Sequence, residues 1–244
     1  TVWSSGALNN AGRLNAGTHT CTITATDLSG NSSSKTITVT ALDEDGNVIA
    51  GAKFGLFKPG TTEFTEETAV LVTESDSEGK FCFEDIRFGK WIVRELVPAT
   101  GYVLNETPIE VNIQTEGEII NISFENKFIR SDIKGNKVDE DGKPVEGALF
   151  GLFTETDTEF TEENAVLTAK SDADGIFFFD DIRFGKWIVK ELAPAEGFVA
   201  NDTVFPIDVT TDGAVIEINA ENRHIYGMVH TTKVDKDYPD NLLA

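Results

Sequence analysis

The stretch FGKWIVKELAPAEGFV at residues 184–199 repeats the stretch FGKWIVRELVPATGYV at residues 88–103, at an offset of 96 residues. The offset holds without a gap in both directions, and about half of the aligned positions are identical. Further aligned pairs are Asp45-Gly46 with Asp141-Gly142, Gly51-Ala52 with Gly147-Ala148, and Glu125-Asn126 with Glu221-Asn222. A period of 96 residues exceeds the roughly 20–50 residues of solenoid repeats and suits a small independent domain. The sequence therefore predicts tandem domains.

Each copy has the alternating pattern that is typical of β-strands. Over residues 216–222, one face of a predicted strand is mainly apolar and the other is acidic, and residues 120–126 repeat this alternation. Trp187, Val189 and Glu191 share one face of another predicted strand. We therefore expect an all-β fold, in which only residues 65–71 and their copy at 161–167 form a helical turn.

The N-terminal residues do not match the repeat. Residues 18–27 and 35–39 are predicted to form two strands joined by a polar turn. The phrase ATDLSGNS at residues 25–32 resembles the terminal strands of hyalin-repeat or bacterial immunoglobulin-like modules. We interpret residues 1–36 as the C-terminal part of such a module. The chain has no leader or terminating element of its own, so we expect a piece of a longer protein.

The charge of the chain excludes several classes of partner. With 20 basic and 42 acidic side chains, the net charge is −22, which disfavours nucleic acid and anionic membrane surfaces as partners. The apolar runs are far shorter than the roughly 18–20 residues of a membrane span. The two cysteines and three histidines show no metal-ligand spacing. We expect no membrane span in this segment, no cofactor and no metal site.

Three acidic turns invite comparison with calcium-binding loops. They lie at residues 43–46, 139–142 and 172–175, and each ends in glycine. The glycine comes too early for an EF-hand loop, and no bidentate glutamate follows at the required spacing. Hairpin turns are the favoured interpretation.

Three polar residues of the second copy lie at positions where an apolar residue is expected. Lys137 is in the first predicted strand, while Glu191 and Asn222 are on inward faces of later strands. Burial lowers the pKa of a lysine and raises that of a glutamate. A neutral lysine amine can then attack the asparagine carboxamide carbon while the glutamate transfers protons and ammonia leaves. The product would be a Lys–Asn amide crosslink.

The same residues identify a family resemblance. They are Lys137-Val138-Asp139, the run GALFGL at 147–152, the run KELAPAEGF at 190–198, and Glu221-Asn222. In order and spacing, this set resembles the Cna B-type, or SpaA-like, prealbumin-like domain. The resemblance implies Greek-key β-sandwich domains with an autocatalytic isopeptide bond between the first and last strands. It assigns Lys137 and Asn222 as the bonded pair and Glu191 as the catalytic acid/base.

The first copy departs from this pattern at one position. Glu95 and Asn126 are present, but Ala41 stands where the second copy has its lysine. Lys35 lies six residues upstream of Ala41 and Lys53 falls on a different predicted strand, so neither is a convincing substitute. We therefore expect a crosslink in the second copy only.

The resemblance also sets the expected domain boundaries. The first Cna B-type domain spans residues 37–129 and lacks the first-strand lysine, and the second spans residues 130–226. Residues 227–244 are interpreted as the first strand of a truncated third domain. In that strand Lys233, 96 residues after Lys137, is the expected nucleophile.

The sequence thus favours a structural function. The expectation is a stalk in a bacterial adhesin or pilin-like protein that is extracellular and attached to the cell wall or cell surface. Its chemistry would be a single internal turnover, not enzymatic catalysis. Its expected partners are neighbouring domains of the same chain, and host extracellular matrix through domains outside this segment. Two alternatives are that the repeats bind host matrix or glycan directly, or that they are an accessory region of a secreted enzyme.

Overall fold

The computed structural model describes residues 25–26, 32–33, 36–84, 86–115, 119–233 and 236–237. These residues form β-strands, turns and irregular segments without any helix, so none of them belongs to a helix able to cross a bilayer. The chain forms two compact units, the first mainly before Ser131 and the second mainly from Ser131 onward. The all-β prediction is confirmed.

The first copy is a sandwich of a three-stranded and a four-stranded sheet. Its strands are β3 (Thr36–Asp43), β4 (Lys53–Phe57), β5 (Leu71–Glu74), β6 (Lys80–Glu84), β7 (Gly89–Val97), β8 (Ile109–Ile113) and β9 (Ile119–Asn126). The order is β6-β3-β9 in one sheet and β5-β4-β7-β8 in the other. The two sheets enclose one buried core, and both contribute apolar side chains to it, among them Ile37, Val39, Phe54, Leu56 and Val93.

The second copy repeats this architecture. Its strands are β10 (Arg130–Asp139), β11 (Leu149–Thr154), β12 (Leu167–Lys170), β13 (Ile176–Arg183), β14 (Gly185–Ala193), β15 (Val204–Val209) and β16 (Ala214–Asn222). The sheets have the orders β13-β10-β16 and β12-β11-β14-β15. Every sheet connection of the first copy therefore has its counterpart 96 residues later.

The first and last strands of each copy are parallel neighbours. In the first copy, Thr36–Asp43 pairs with Ile119–Asn126 along its whole length. In the second, the pairing runs from Ser131 with Ala214 to Asp139 with Asn222. Two parallel neighbours point the same way, so the chain enters each copy at one end of this pair and leaves at the other.

The N-terminal expectation needs a correction. Strand β1 (Ala25–Thr26) pairs with β2 (Ser32–Ser33) as a short antiparallel hairpin. Of the strand predicted at residues 35–39, residues 36–39 pair instead with β6 and β9, as part of the first copy. The reason is that Ile37 and Val39 are buried in that copy's core. Most of residues 1–36, including Cys21, His19 and Lys35, lies outside the described residues.

The expected first strand of a third domain does not form in the described part of residues 227–244. Residues 227–233 have no strand or turn, and Lys233 is exposed. Val234 and Asp235, the rest of the expected motif, lie outside the described residues. In both complete copies the first strand is held by two strands that come later in that copy.

The short turns agree with the sequence interpretation. At 65–71 and 161–167, Ala69 and Ala165 donate backbone hydrogen bonds to Thr65 and Thr161, which closes a single turn.

The acidic turns are held by their own carboxylates. Asp139 Oδ1 accepts hydrogen bonds from the backbone of Asp141 and Lys143, at 2.9 and 2.8 Å. Asp43 Oδ1 accepts the equivalent pair in the first copy. Asp172 does the same in its own turn. These carboxylates cap tight hairpins, as is typical of Asp in turns.

Candidate crosslinking site

Lys137 lies on β10 with its side chain in the interior of the second copy. The residue has no exposed surface, and its Nζ donates hydrogen bonds to the carbonyls of Val138 at 3.0 Å and Ala220 at 3.3 Å. Burial lowers the pKa of the Lys137 amine, an effect that the nearby carboxylates of Glu191, Glu221 and Asp139 oppose. The neutral, nucleophilic form of this amine is therefore more accessible than in an ordinary lysine.

Asn222 ends the neighbouring strand on the same face. Lys137 pairs with Ala220, and Asp139 pairs with Asn222. Asn222 thus lies two residues further along β16 than the partner of Lys137, or roughly 6–7 Å along the strand. Both side chains are buried, and the flexible four-carbon stem of lysine suits this diagonal separation.

Glu191 reaches the same region from the opposite sheet. It lies on β14 and is 6% exposed. Its Oε2 accepts hydrogen bonds from Asn222 Nδ2 at 3.0 Å and from the backbone N–H of Asn201 at 2.6 Å. The structure therefore brings together the three residues that the sequence singled out, across the interior of one sandwich.

The orientation of the Asn222 amide follows from its two acceptors. Its Nδ2 donates both to Glu191 Oε2 and to the backbone carbonyl of Val199, at 2.8 Å. This leaves Asn222 Oδ1 and Glu191 Oε1 buried without a hydrogen-bond partner among the described residues. A buried polar atom without a partner has a free-energy cost of about 1–3 kcal/mol, and the equivalent oxygens of the first copy, Asn126 Oδ1 and Glu95 Oε1, lack a partner among the described residues in the same way.

Asn201 is a site residue that the sequence patterns did not single out. Besides the bond from its N–H to Glu191, its Nδ2 donates to the Glu221 carbonyl at 2.8 Å. Its Oδ1 accepts from the N–H of Thr203 at 2.8 Å. Asn201 thereby ties the loop after β14 to the end of β16. Its signal in the sequence is the equivalent residue 96 positions earlier, Asn105.

The first copy builds the same carboxyl–amide pair without an amine. Asn126 Nδ2 donates to Glu95 Oε2 at 2.7 Å, and the N–H of Asn105 donates to the same oxygen at 2.6 Å. Burial raises the pKa of Glu95, although these two hydrogen bonds oppose the shift. Ala41, at the lysine position, is fully buried.

Lys53 does not replace the missing lysine. It lies on β4, and its Nζ forms an ion pair with Glu66 at 2.8 Å on the protein surface. Lys35, the other lysine that the sequence brought into question, lies outside the described residues.

Comparison with known families finds two matches to one domain type in this chain. The SpaA family, described as a prealbumin-like fold domain, matches residues 35–128 and again residues 131–224. The chain belongs to the SpaA family. Together the two SpaA domains cover more than three quarters of its 244 residues.

Solved structures share this fold at low sequence identity. The Bacillus anthracis TIE protein is 20% identical with a TM-score of 0.68, and the match covers 80% of this chain and 35% of that one. A C-terminal fragment of the pilus adhesin SpaC from Lactobacillus rhamnosus GG is 14% identical with a TM-score of 0.51, covering 80% and 99% of the two chains. The chain thus spans about a third of the TIE protein structure. A search of curated proteins by sequence found no match.

The second SpaA domain contains the components for exchange of an amide. These are a buried amine with a lowered pKa, a carboxamide two positions away on the next strand, and a carboxyl group bonded to the carboxamide nitrogen. The first SpaA domain has the last two components and lacks the amine.

Proposed function

We propose that this chain is a stalk segment of a Gram-positive cell-surface adhesin or pilin-like protein, strengthened by an internal Lys137–Asn222 amide bond in its second SpaA domain. The observation that carries the proposal is the convergence of buried Lys137, Glu191 and Asn222 in one sandwich interior. Three polar side chains buried together are costly unless they are paired or react.

The reaction balances without any other reactant. The neutral Lys137 Nζ attacks Asn222 Cγ, and a C–N bond forms while the bond from Cγ to Nδ2 breaks. Glu191 Oε2, bonded to Nδ2 at 3.0 Å, is in position to deliver a proton to the leaving nitrogen. The attacking amine supplies the proton that restores Glu191, and ammonia leaves. The buried setting excludes water, which keeps the Lys137 amine desolvated and strengthens its interactions with the reacting groups.

The strand topology supports a mechanical role for this bond. Because β10 and β16 are parallel neighbours, a pull on the two ends of the domain enters β10 at its start and leaves β16 at its end. A bond from Lys137 to Asn222 would carry this force directly, and the chain between them would bear none. The 84 residues between the bonded positions would be protected from extension.

The cell-surface assignment has separate support. SpaC, whose C-terminal fragment shares this fold, is a pilus adhesin. The net charge of −22 favours solubility and repulsion between acidic domains along a chain. Neighbouring domains of the same chain are then the immediate partners, and host extracellular matrix would be bound by domains outside this segment.

Intact mass spectrometry tests the proposal. Each amide bond releases ammonia, so the purified protein should be roughly 17 Da lighter than its sequence mass. A tryptic fragment in which Lys137 is joined to Asn222 should be found by tandem mass spectrometry. Lys137→Ala and Glu191→Ala should each restore the full sequence mass.

The first copy supplies the matched control. Glu95→Ala changes the equivalent carboxyl and should leave the mass deficit unchanged, because Ala41 stands at the lysine position. A wild-type protein at full sequence mass would contradict the proposal, and so would a deficit that persists in Lys137→Ala.

A further inference from the structure

The two copies differ at three buried positions, which are the lysine position of the crosslinking site and two positions on the same two strands. Where the second copy has Gly135, Lys137 and Ala220, the first has Val39, Ala41 and Phe124. The catalytic carboxyl and the acceptor amide are the same in both. The difference is therefore confined to the amine and the side chains beside it.

Two of these positions are direct neighbours in the sheet. Lys137 is the register partner of Ala220, and Ala41 is the register partner of Phe124. In the second copy Lys137 Nζ bonds to the Ala220 carbonyl at 3.3 Å, so the long side chain runs beside a methyl group. In the first copy the sizes are reversed. The small residue, Ala41, stands at the lysine position, and the large one, Phe124, is its buried register partner.

The third position sets where an aromatic ring can lie. A Cβ added to Gly135 would be only 1.9 Å from the Phe177 ring, so this ring lies directly on the glycine. Phe177 stacks on Phe150 with ring centroids 3.8 Å apart. In the first copy Val39 occupies the glycine position, which denies its aromatic ring the same close approach.

The first copy has a larger aromatic cluster instead. Phe81 stacks on Phe54 at 4.1 Å, and Phe124 adds a third ring with its centroid 5.0 Å from that of Phe54. Volume lost at the lysine position is thus regained at its register partner. The exchange conserves the filling of the core, which close-packed interiors require.

We infer that the first copy is a dormant crosslinking site, in which Phe124 and Val39 fill the space of the lysine side chain while the acid/base Glu95 and the acceptor Asn126 remain in working order. The Glu95–Asn126 pair also has a structural role, since Glu95 accepts a hydrogen bond from the N–H of Asn105 and so anchors the loop after β7. This inference rests on the proposed crosslink of the second copy.

Three substitutions should activate the site. In Val39→Gly/Ala41→Lys/Phe124→Ala, the new amine would attack Asn126 Cγ, the bond from Cγ to Nδ2 would break, and Glu95 would protonate the departing nitrogen. The attacking amine returns that proton and ammonia leaves, as in the second copy. Ala41→Lys alone should fail, because Phe124 occupies the path of the lysine stem.

Intact mass of these variants separates the inference from the proposed function. The triple variant should show two losses of roughly 17 Da, and Ala41→Lys alone should show one. Adding Glu95→Gln to the triple variant should abolish only the second loss. Tandem mass spectrometry should find residue 41 joined to Asn126.

Each outcome has a defined meaning. Absence of any loss, including that of the second copy, contradicts the proposed function itself. One loss in a triple variant whose first copy is folded by NMR overturns the inference while leaving the proposed function intact. Complete crosslinking by Ala41→Lys alone would show that Phe124 does not block the site, which also overturns the inference.

The reverse exchange covers the case in which the triple variant does not fold. Lys137→Ala/Ala220→Phe, which leaves Gly135 under the Phe177 ring, should give a second copy that melts at a higher temperature than the same copy with Lys137→Ala alone. An equal or lower melting temperature would show that positions 137 and 220 do not share one volume, contrary to the inference.

Discussion

The two SpaA domains have the same strands, the same sheet order and the same buried Glu–Asn pair, yet only the second holds a lysine against that pair. The first replaces it with Ala41 and fills the core with Phe124. The comparison teaches that the carboxyl–amide pair has a structural role apart from any crosslink, since it anchors the following loop in both copies. The proposed covalent bond would be an addition to a fold that also closes by packing alone.

The largest expected difference between the two copies is in their resistance to unfolding under mechanical force. Under a pull on its ends, the first copy resists through noncovalent contacts, among them the hydrogen bonds between β3 and β9, and should unfold, releasing about 300 Å of chain. The second copy should not extend, because force would pass through the proposed Lys137–Asn222 bond. Single-molecule force spectroscopy of the whole chain should therefore record one of the two SpaA domains unfolding.

Glu191→Ala removes this contrast. Both copies should then extend by similar lengths, since their parallel first and last strands are alike. A second copy that extends fully in the wild type would overturn the mechanical argument even where a mass deficit is present.

Chemical denaturation should show the next largest difference. Closing the loop of 84 residues between Lys137 and Asn222 stabilises a domain by about 4–5 kcal/mol on the chain-entropy treatment of crosslinks. Glu191→Gln, which preserves the size of the side chain but cannot deliver the proton, should lower the urea midpoint of the second copy accordingly. The matched change Glu95→Gln should alter the first copy far less, and equal shifts in both copies would argue against a crosslink.

The smallest expected effect is on the pH dependence of the first copy. Burial raises the pKa of Glu95 above its ordinary 4.5, so the folded state holds this proton more tightly than the unfolded state. The contribution of Glu95 to stability is fully present below 4.5 and is lost as pH rises through the folded pKa.

Melting temperatures measured between acid and neutral pH test this sign. The stability of the wild-type first copy relative to Glu95→Gln should fall as pH rises. Taking the difference between the two proteins at each pH removes the contribution of the other titrating groups, which both share. A difference that is constant with pH would mean that Glu95 titrates alike in both states.

Much of this architecture could be predicted because the two sequence patterns that reveal it, the domain repeat and the alternation along strands, are both periodic. The 96-residue offset revealed the domains, and alternation along strands such as residues 216–222 revealed the inward face. The triad emerged because Lys137, Glu191 and Asn222 interrupt that apolar face. Polar residues at core positions are visible in a sequence before any contact is known.

What could not be predicted depends on register and on loops. The sequence contains the exchange of Ala220 for Phe124, but only the parallel pairing shows that each lies beside the lysine position. The backbone N–H of Asn201 has no side-chain signature. Alternation also could not tell which sheet the strand predicted at residues 35–39 would join, and its residues 36–39 belong to the first copy rather than to the N-terminal module.

The Asn201 loop has a consequence for producing this protein in a eukaryotic host. Residues 201–203 read Asn-Asp-Thr, an acceptor sequence for N-linked glycans. In the fold its amide nitrogen is bonded to the Glu221 carbonyl and its backbone N–H to Glu191. A sugar attached to this nitrogen during secretion would leave one N–H and add bulk beside the loop that donates to the carboxyl group. Secretory expression should then give a domain that crosslinks less completely, whereas bacterial expression leaves the asparagine unmodified.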